Sequence, residues 1–348
     1  MIKFPYGLCD FHKIISEGYF YVDRTDRIRL IEEAGSQLLF LRPRRFGKSL
    51  LLSTLENYYD VARADEFETL FGHLSIGQDP TPRHNQYFVL KWDFSMVDPQ
   101  GSIEDIRRSL HNHLNNTLRA FIQRYRDEFS YSVKVDPADA ISSFESILTA
   151  VRASPHRLYL LIDEYDNFAN EVMMGRREVS ASRYKSLLYG EGALKTVFKA
   201  VKAASAGQGL DRVFITGVSP VVLSDITSGY NVAENIYLRS EFNDLCGFHE
   251  SEIADTLMQI VGDCGMPAGR ATEAMTMMRA FYNGYCFNHK TDRFVYNPTL
   301  ALYFLNTFQR ECEYPRQMLD ANLAMDRNKI AYIAQLPNGG QMILDALN

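Results

Sequence analysis

The fold of this chain is decided by one stretch near its beginning, Leu38-Leu-Phe-Leu-Arg42-Pro-Arg-Arg-Phe-Gly47-Lys48-Ser49-Leu-Leu-Leu52. Its apolar start predicts a buried strand, and the leucines after Ser49 predict a helix, with a short loop between the two. Backbone amides of such a loop and of the helix N-terminus can cradle phosphate, and glycine is needed where the backbone approaches the anion. Gly47 has that position, Lys48 would reach the phosphates, and Ser49 would coordinate Mg²⁺. The stretch therefore predicts a site for nucleotide phosphates.

The loop departs from the general pattern G-x-x-x-x-G-K-[ST] at its first position, where Arg42 replaces glycine. Because a bulky residue stands where glycine eases the turn, a coincidental Gly-Lys-Ser at a helix start stays an alternative. Arg42, Arg44 and Arg45 bring three guanidinium groups to the loop; they could contact phosphate, contact an acidic element of another domain, or fold over the nucleotide. The predicted nucleotide contacts are Arg42, Pro43, Arg44, Arg45, Phe46, Gly47, Lys48, Ser49 and Leu50.

A second segment, Leu158-Tyr-Leu-Leu-Ile162-Asp163-Glu164, reads as an apolar strand that ends in two acids. P-loop ATPases of the additional-strand type place such a strand after the phosphate loop. Asp163 would hold Mg²⁺ beside Ser49, and Glu164 would act as general base toward the attacking water. The alternative is an acidic turn after a buried strand, and Asp166 alone is interpreted as a helix cap or loop residue.

A third segment, Arg212-Val-Phe-Ile-Thr216-Gly217-Val-Ser219-Pro220, reads as a strand that ends in a hydroxyl and a glycine. Thr216 or Ser219 could hydrogen-bond the attacking water or the γ-phosphate, and we take Thr216 as the candidate catalytic residue. An ordinary exit from a strand into a turn, with Gly217 and Pro220 as turn residues, is an equal alternative.

The order of apolar segments predicts the fold class. Short strands at 37–41, 86–94, 157–162 and 213–216 alternate with helical segments at 48–59, 103–129, 144–152 and 183–205. This alternation predicts an α/β three-layer core with a mainly parallel sheet. Helical segments then follow at 250–261, 271–281, 298–310 and 326–335. The predicted domains are a leader over 1–36 that packs against the first strand, a core over 37–222 and a smaller, mostly helical lid over 223–348.

Composition excludes several classes of protein. The 348 residues are 46% hydrophobic and 23% charged, as in globular domains, and the formal net charge of −6 disfavours a nucleic-acid surface except as a local basic patch. Five scattered cysteines without a C-x-x-C pair suggest neither a disulfide framework nor a zinc ribbon. Without a secretory signal or an 18-residue apolar run, we expect a soluble, cytoplasmic protein that does not enter a membrane.

With these residues in place, the sequence resembles the AAA-ATPase-like family of P-loop ATPases over nearly its whole length. The resemblance rests on the loop and on seven further motifs: Tyr21-Val-Asp-Arg-Thr25, Leu161-Ile-Asp-Glu-Tyr-Asp-Asn167, Thr216-Gly-Val-Ser-Pro220, Ser228-Gly-Tyr-Asn231, Gly247-Phe-His249, Tyr282-Asn-Gly-Tyr285 and Tyr296-Asn-Pro298. The family's loop is similar to this one, so the resemblance implies that Arg42 is shared with relatives.

The resemblance implies binding of ATP and Mg²⁺, and hydrolysis that switches the helical domain against the core for a nucleic-acid-processing or defence partner. The alternative is a nucleotide-holding scaffold with little or no turnover. Family members commonly carry a nuclease-like C-terminal domain; we find no Asp followed by Glu-x-Lys and expect no nuclease here. By analogy with related ATPases, the strip 19–24 would line the adenine, or else it seals the sheet edge as an aromatic staple.

Overall fold

The computed structural model describes residues 1–173, 192–220, 222, 230–282, 284–288, 290 and 293–318. The strands are β1 Gln37–Leu41, β2 Tyr87–Asp93, β3 Arg157–Asp163, β4 Leu210–Gly217 and β5 Glu234–Asn235. The helices of the core and leader are α1 Phe11–Ser16, α2 Arg27–Ala34, α3 Lys48–Tyr59, α4 Phe67–Phe71, α5 Ser75–Gln78, α6 Ile103–Arg124, α7 Ala140–Arg152, α8 Asn167–Met173 and α9 Ala193–Ser205. Those that follow are α10 Glu250–Asp263, α11 Gly269–Tyr282 and α12 Pro298–Glu311.

Some sequence predictions fall on residues that are not described. They are the first part of the predicted helix 183–205, most of the motif at 228–231, residue 283 of the motif at 282–285, and the predicted helix 326–335. Short 3₁₀ turns complete the described elements at Val61–Glu66, Phe94–Met96, Arg126–Glu128 and Ser240–Phe242.

The sheet has five parallel strands in the order β2-β3-β4-β1-β5. Register places Asp93 opposite Asp163, and Leu41 opposite Gly217, so the candidate residues end at one edge of the sheet. This confirms the predicted α/β class with a mainly parallel sheet. The two-residue strand β5 was not predicted, because a segment so short has no periodicity to detect.

Both faces of the sheet are buried, which explains why its strands read as continuous apolar runs. Leu39 and Leu41 of β1 face one hydrophobic cluster, which is completed by helices α6, α7 and α9. Leu38 and Phe40 face a second cluster, in which α1 to α4 take part. The result is the three-layer arrangement that the strand-helix alternation predicts.

A third hydrophobic cluster joins α10, α11 and α12. Phe4 of the leader belongs to it, and the backbone N–H and C=O of Ile2 are bonded to the side-chain amide of Gln309, each at 2.8 Å. The leader therefore contacts the C-terminal helices as well as the core, whereas the sequence predicted packing against the first strand. The predicted domain borders at residues 36 and 222 stay predictions.

Two cysteines form a disulfide, with 2.08 Å between the sulfur atoms of Cys264 and Cys312. The bond joins the C-terminal end of α10 to that of α12 across 48 residues of sequence. The cysteine pattern suggested no disulfide framework, and this bond was not predicted, since spacing along the chain does not show which helix ends meet. Cys9 and Cys246 are free thiols.

Over the ranges that the structure describes, no helix is both long enough and apolar enough to cross a bilayer.

Candidate phosphate-binding site

The loop between β1 and α3 has the backbone form that close approach to an anion requires. Gly47 is the N-cap of α3 with φ 91°, and Arg45 also has a positive φ, 64°. A Cβ atom on Gly47 would meet no atom within 4 Å, so open space lies beside the loop at this point. The N-terminus of the 12-residue α3 faces this space with its unpaired amides.

Lys48 extends across the loop instead of into solvent. Its side chain is only 3% exposed, and its Nζ donates to the carbonyl oxygens of Arg42 at 3.2 Å and Pro43 at 3.3 Å. The same Nζ lies 3.3 Å from Oε1 of Glu164. Lys48 is thus held by the groups that surround the open space of the loop.

The end of β3 brings the two candidate acids together with β4. The carboxylate of Asp163 is buried; its Oδ1 accepts hydrogen bonds from Thr216 Oγ1 at 2.5 Å and from the Glu164 amide at 3.0 Å. Burial raises the pKa of Glu164 above its ordinary value, and the nearby charge of Lys48 opposes that rise. The structure therefore brings Lys48, Asp163, Glu164 and Thr216 to one place, as their sequence context predicted.

Asp166 has a larger part in the site than the sequence suggested. Its buried carboxylate accepts hydrogen bonds from the amides of Val218, at 3.1 Å, and Ser219, at 2.8 Å. The hydroxyl of Tyr165 donates to the carbonyl oxygen of Ser219. A Cβ on Gly217 would come within 2.6 Å of the Asp166 carboxylate, so glycine is needed for this close approach. Asp166 thereby fixes the turn after β4 to the end of β3.

The Arg42 side chain does not follow the prediction of a phosphate contact. It is buried, and its guanidinium donates to the carbonyl oxygens of Leu41 at 2.8 Å, Tyr237 at 2.9 Å and Phe242 at 2.6 Å. The rings of Phe40 and Phe287 lie on it at 4.4 and 3.9 Å. Burial lowers the pKa of Arg42 to about 10, so the group is still a cation near neutral pH.

The other side chains of the loop go to separate places. Phe46 is completely buried, with its ring 5.0 Å from that of Tyr285 and 5.2 Å from that of Phe287. Arg44 is exposed and donates to the Oδ1 of Asn167 at 2.5 Å. Arg45 is exposed too, and its carbonyl oxygen accepts from the hydroxyl of Thr299 at 2.9 Å.

A cavity of about 320 Å³ adjoins the loop, a volume within the range of small-molecule sites. Its polar end is formed by residues 45–49 and Glu164, and Arg42, Pro43 and Arg44 do not line it. The remaining wall is mostly apolar and comes from the leader, from the segment 245–248 and from the start of α12. The leader contributes Phe20, Tyr21, Val22 and Arg24 of the strip that the resemblance suggested for the base.

Sequence reasoning missed the residues that close this cavity from the C-terminal side, Phe248, Pro298, Thr299 and Leu302. Helix α12 begins there because Asn297 caps it: the Asn297 side chain accepts from the Thr299 amide, and Pro298 occupies the first turn. The motifs at 247–249 and 296–298 were the available signal, but nothing in their residue types points to a ligand.

Comparisons with known proteins bear on the family and the fold of this chain. The model of a family described as predicted AAA-ATPase matches residues 5–227, which include the loop, Asp163, Glu164 and Thr216. A curated relative, an uncharacterized protein in the vnfD 5′ region of Azotobacter chroococcum mcd 1, is 27% identical over 305 residues, which are 85% of this chain and 50% of the relative. The chain therefore spans about half the length of the curated relative it matches.

Two solved structures are similar to this chain to different degrees. A Walker-type ATPase of Pyrococcus abyssi superposes with a TM-score of 0.50 at 15% identity, over 94% of this chain and 75% of that one. At this identity the likeness concerns the fold, and it supports the P-loop ATPase architecture. The ORC2 protein of Aeropyrum pernix, solved as ADPNP–ADP complexes, is similar at a TM-score of 0.34 and 12% identity over 87% of this chain and 72% of that one, which is too low to add to the assignment.

Proposed function

We propose, since this chain belongs to the AAA-ATPase-like family, that it binds ATP together with Mg²⁺ at the loop 42–49 and hydrolyses it with Glu164 as the base. One observation carries the proposal: Lys48 and Glu164 meet at 3.3 Å in the wall of the cavity beside the loop. A phosphate-binding cation and a candidate base thus face the same space.

The loop residues fit a triphosphate. Gly47 leaves open space beside the backbone, and the N-terminus of α3 supplies amide donors with a favourable dipole. Lys48 now donates to two loop carbonyls, and the proposal is that these weak contacts give way to phosphate oxygens, which a lysine cation prefers.

The residues at the end of β3 fit Mg²⁺ as a P-loop holds it. Ser49 and Asp163 would be its protein ligands, and when bound the ion would neutralise charge on the phosphate oxygens. No group of three or more His, Cys, Asp or Glu able to hold a metal occurs in the part of the chain that the structure describes. Mg²⁺ commonly binds one or two carboxylates and completes its shell with phosphate and water, so Asp163 and Ser49 would suffice as its protein ligands.

Glu164 is proposed to accept the proton of the attacking water at a carboxylate oxygen. In the structure Oε1 of Glu164 faces Lys48, so the base becomes available when Lys48 turns to phosphate. Thr216 donates its hydroxyl to Asp163 at 2.5 Å, which supports a role in orienting that carboxylate. Contact between Thr216 and the γ-phosphate stays a prediction.

The apolar part of the cavity is proposed to hold the base of the nucleotide. Tyr21 and Val22 of the leader face Leu245 and Phe248 across it, and apolar and aromatic walls of this kind suit a purine ring. Nothing in these residue types selects adenine over guanine, so the preference for ATP rests on the family.

A second candidate is a nucleotide-binding scaffold with little turnover. The observation that favours it is the same ion pair, because a base that stays on Lys48 cannot take a proton from water. The nucleic-acid-processing or defence partner and the cytoplasmic location stay predictions from the sequence.

The test is nucleotide affinity and Mg²⁺-dependent ATP turnover for the parent, Lys48→Ala and Glu164→Gln. Loss of the Lys48 charge should weaken binding about 10- to 100-fold, the usual contribution of a charge-assisted contact. Glu164→Gln should bind normally and lose turnover by about 10²–10⁴. Lys91→Ala, which removes a lysine 4.0 Å from Glu56 and outside the cavity, is the matched control and should change neither.

Each outcome decides between the candidates. Unchanged affinity in Lys48→Ala would contradict the phosphate site itself. A parent that binds ATP without measurable turnover would favour the scaffold.

A further inference from the structure

The phosphate loop is attached to the C-terminal region through two of its own side chains. We call the segment that receives them the anchor segment: residues 284–288 and 293–296, which pair as an antiparallel bridge between Tyr285 and Val295. The Val295 amide donates to the Tyr285 carbonyl at 2.9 Å. Residue 297 caps α12, so the anchor segment leads directly into the C-terminal helices.

Phe46 fills a closed pocket in the anchor segment. Its ring meets Tyr285 and Phe287 edge-on, at 5.0 and 5.2 Å. Packing is tight where Gly247 meets this contact, because a Cβ on Gly247 would lie 2.9 Å from Val295 and 3.1 Å from the Phe46 ring. Phe46 also lines the nucleotide cavity, so one residue contacts both places.

Arg42 reaches the anchor segment by a second route. Phe287 lies on its guanidinium at 3.9 Å, and the guanidinium donates to the carbonyl oxygens of Phe242 and Asn243 at 2.6 and 3.4 Å. The side chain of Asn243 then accepts from the Phe287 amide and donates to the Arg293 carbonyl, both at 2.9 Å. Continuous hydrogen bonds thus connect the first residue of the loop to both halves of the anchor segment.

Lys48 connects this arrangement to the phosphate site. Its Nζ is bonded to the carbonyl oxygens of Arg42 and Pro43, the first two residues of the loop. When Lys48 turns to a phosphate, these two carbonyls lose their donor, and the loop is free to adjust at the residue whose side chain holds the anchor segment.

We propose that Arg42 and Phe46 form a clamp that couples the phosphate loop to the anchor segment, so that nucleotide binding shifts the position of the C-terminal helices. The proposal rests on the proposed function for its ligand, ATP. Arg42 and Phe46 are positioning residues in it: they act on the loop and on the anchor segment, and the phosphates are bound by others. It also explains why arginine stands where the general loop pattern has glycine.

Coupling is reciprocal, so a change in the anchor segment must alter nucleotide affinity. Phe287→Leu is the test, because Phe287 is not among the residues that line the cavity, and its ring contacts Arg42 and Phe46 of the loop. We expect its affinity for a fluorescent ATP analogue with Mg²⁺ to change at least about fivefold. Phe304→Leu is the control for the same change of side chain: Phe304 is fully buried, whereas Phe287 is partly buried, and it packs against Tyr282 and Phe308 in the C-terminal helices. It should leave the affinity within about twofold.

Arg42→Gly gives a second measurement, because the loop of this variant matches the general G-x-x-x-x-G-K-S pattern. If the first residue only had to ease the turn out of β1, glycine would keep or improve the affinity; the clamp predicts that the affinity is lowered. In the parent, ATP with Mg²⁺ should also change amide hydrogen exchange at Phe287 and Val295. ATP affinity in Phe287→Leu equal to that of the parent would overturn the clamp.

Failure of the proposed function has a different signature. A parent that binds no ATP overturns that function, and the clamp is then judged on the free protein. The amides of Arg42 and Leu51 donate to the carbonyls of Gly217 and Gly47, and their hydrogen exchange should be faster in Phe287→Leu than in Phe304→Leu. Equal exchange in the two variants would overturn the clamp without reference to nucleotide.

Discussion

Glu164 holds an unusual backbone conformation, with φ 51°, for a residue that has a side chain. Non-glycine residues in this region cost of order 1–3 kcal/mol and are found preferentially at functional sites. Its amide donates to the carboxylate of Asp163 beside it, at 3.0 Å. The turn therefore directs two adjacent carboxyl groups to different partners, Thr216 and Lys48, which the two proposed roles require.

The pKa of Glu164 leads to a prediction for the pH dependence of turnover. A base acts only when deprotonated, and burial raises this pKa above the ordinary 4.5, so the acid limb of the rate should lie above pH 4.5. The charge of Lys48 opposes this rise in the free protein, and burial outweighs it. We therefore expect the acid limb of kcat/KM, which reports the free protein, above pH 4.5.

Steady-state rates from pH 4 to 9 would check this. Glu56→Gln is a suitable control, because Glu56 is another carboxyl group whose pKa is raised by burial, and it lies outside the cavity. An acid limb of the pH–rate profile at or below pH 4.5 would count against Glu164 as the base. A shift of that limb to another pH in Glu56→Gln would also count against it.

At the scale of residues, the sequence predicted the parts of the site that depend on local order. Gly47 and Lys48 follow from their place at a helix start, and Asp163 follows from its place at a strand end. Most partners of Arg42 could not be predicted in this way, because three of the four carbonyls that its guanidinium binds lie 195 to 201 residues further along the chain. A loop pattern shows which residue is present but not which distant backbone its side chain reaches.

At the scale of elements, the predicted positions of strands and helices were correct where the apolar residues of a segment follow a clear pattern. Strands β1 to β4 are four apolar runs, and each is found within a few residues of its predicted position. The predicted helix 103–129 instead ends at Arg124, where the buried Tyr125 follows and donates its hydroxyl to Asp60 at 2.7 Å. Contacts of this kind across the fold end an element at a position that helical spacing alone does not indicate.

The disulfide between α10 and α12 gives a prediction at this scale. Closing 48 residues of chain constrains the unfolded state, and bonds of this type contribute about 2–4 kcal/mol. Cys312→Ser should therefore lower the free energy of unfolding of the C-terminal helices by about that amount. Denaturant unfolding followed by circular dichroism would measure it, and Cys9→Ser, which removes an exposed free thiol, is the control.

A reductant provides the complementary measurement. It should destabilise the parent to the level of Cys312→Ser and leave that variant unchanged. If the parent unfolds at the same denaturant concentration with and without reductant, the bond contributes nothing to stability.

At the scale of the whole molecule, the leader connects the core to the C-terminal region. Arg24 of the leader forms two bonds to the carboxylate of Glu252 at the start of α10, at 2.6 and 2.8 Å. Arg27 of α2 lies 3.0 Å from Asp244, which also accepts from His249 at 3.1 Å. The order of elements predicted a separate leader and lid, and these contacts could not be foreseen because their partners are more than 200 residues apart.

Asp244 makes the stability of this connection depend on pH. Burial acts to raise its pKa, but the His249 hydrogen bond and the charges of Arg27 and Arg24 outweigh it and lower the pKa from 3.8 to about 2. A lowered pKa means that the stabilisation is complete above pH 3.8 and is lost as the pH falls toward 2. Across that window the free energy of unfolding should fall by about 2 kcal/mol more in the parent than in Asp244→Asn.

Unfolding measured between pH 5 and 2 would check this difference. Asp26→Asn removes an exposed carboxylate 3.6 Å from the same Arg27 and serves as the control. If the free energy of unfolding falls equally with pH in the parent and in Asp244→Asn, the connection through Asp244 does not contribute to the pH dependence of stability.

The position of β1 in the sheet has a consequence for synthesis of the protein on the ribosome. Among the described strands, β1 pairs with β4 and β5, where Gln37 lies opposite Val213 and Leu38 opposite Glu234. Translation at 5–20 residues per second needs roughly 10–40 s to add the roughly 200 residues between β1 and its second partner. Until then the apolar face of α3, with Leu52 and Leu55, has no completed sheet to cover it. We therefore expect the nascent chain to depend on chaperones during this interval, and to acquire its phosphate site only after β4 and β5 have left the exit tunnel.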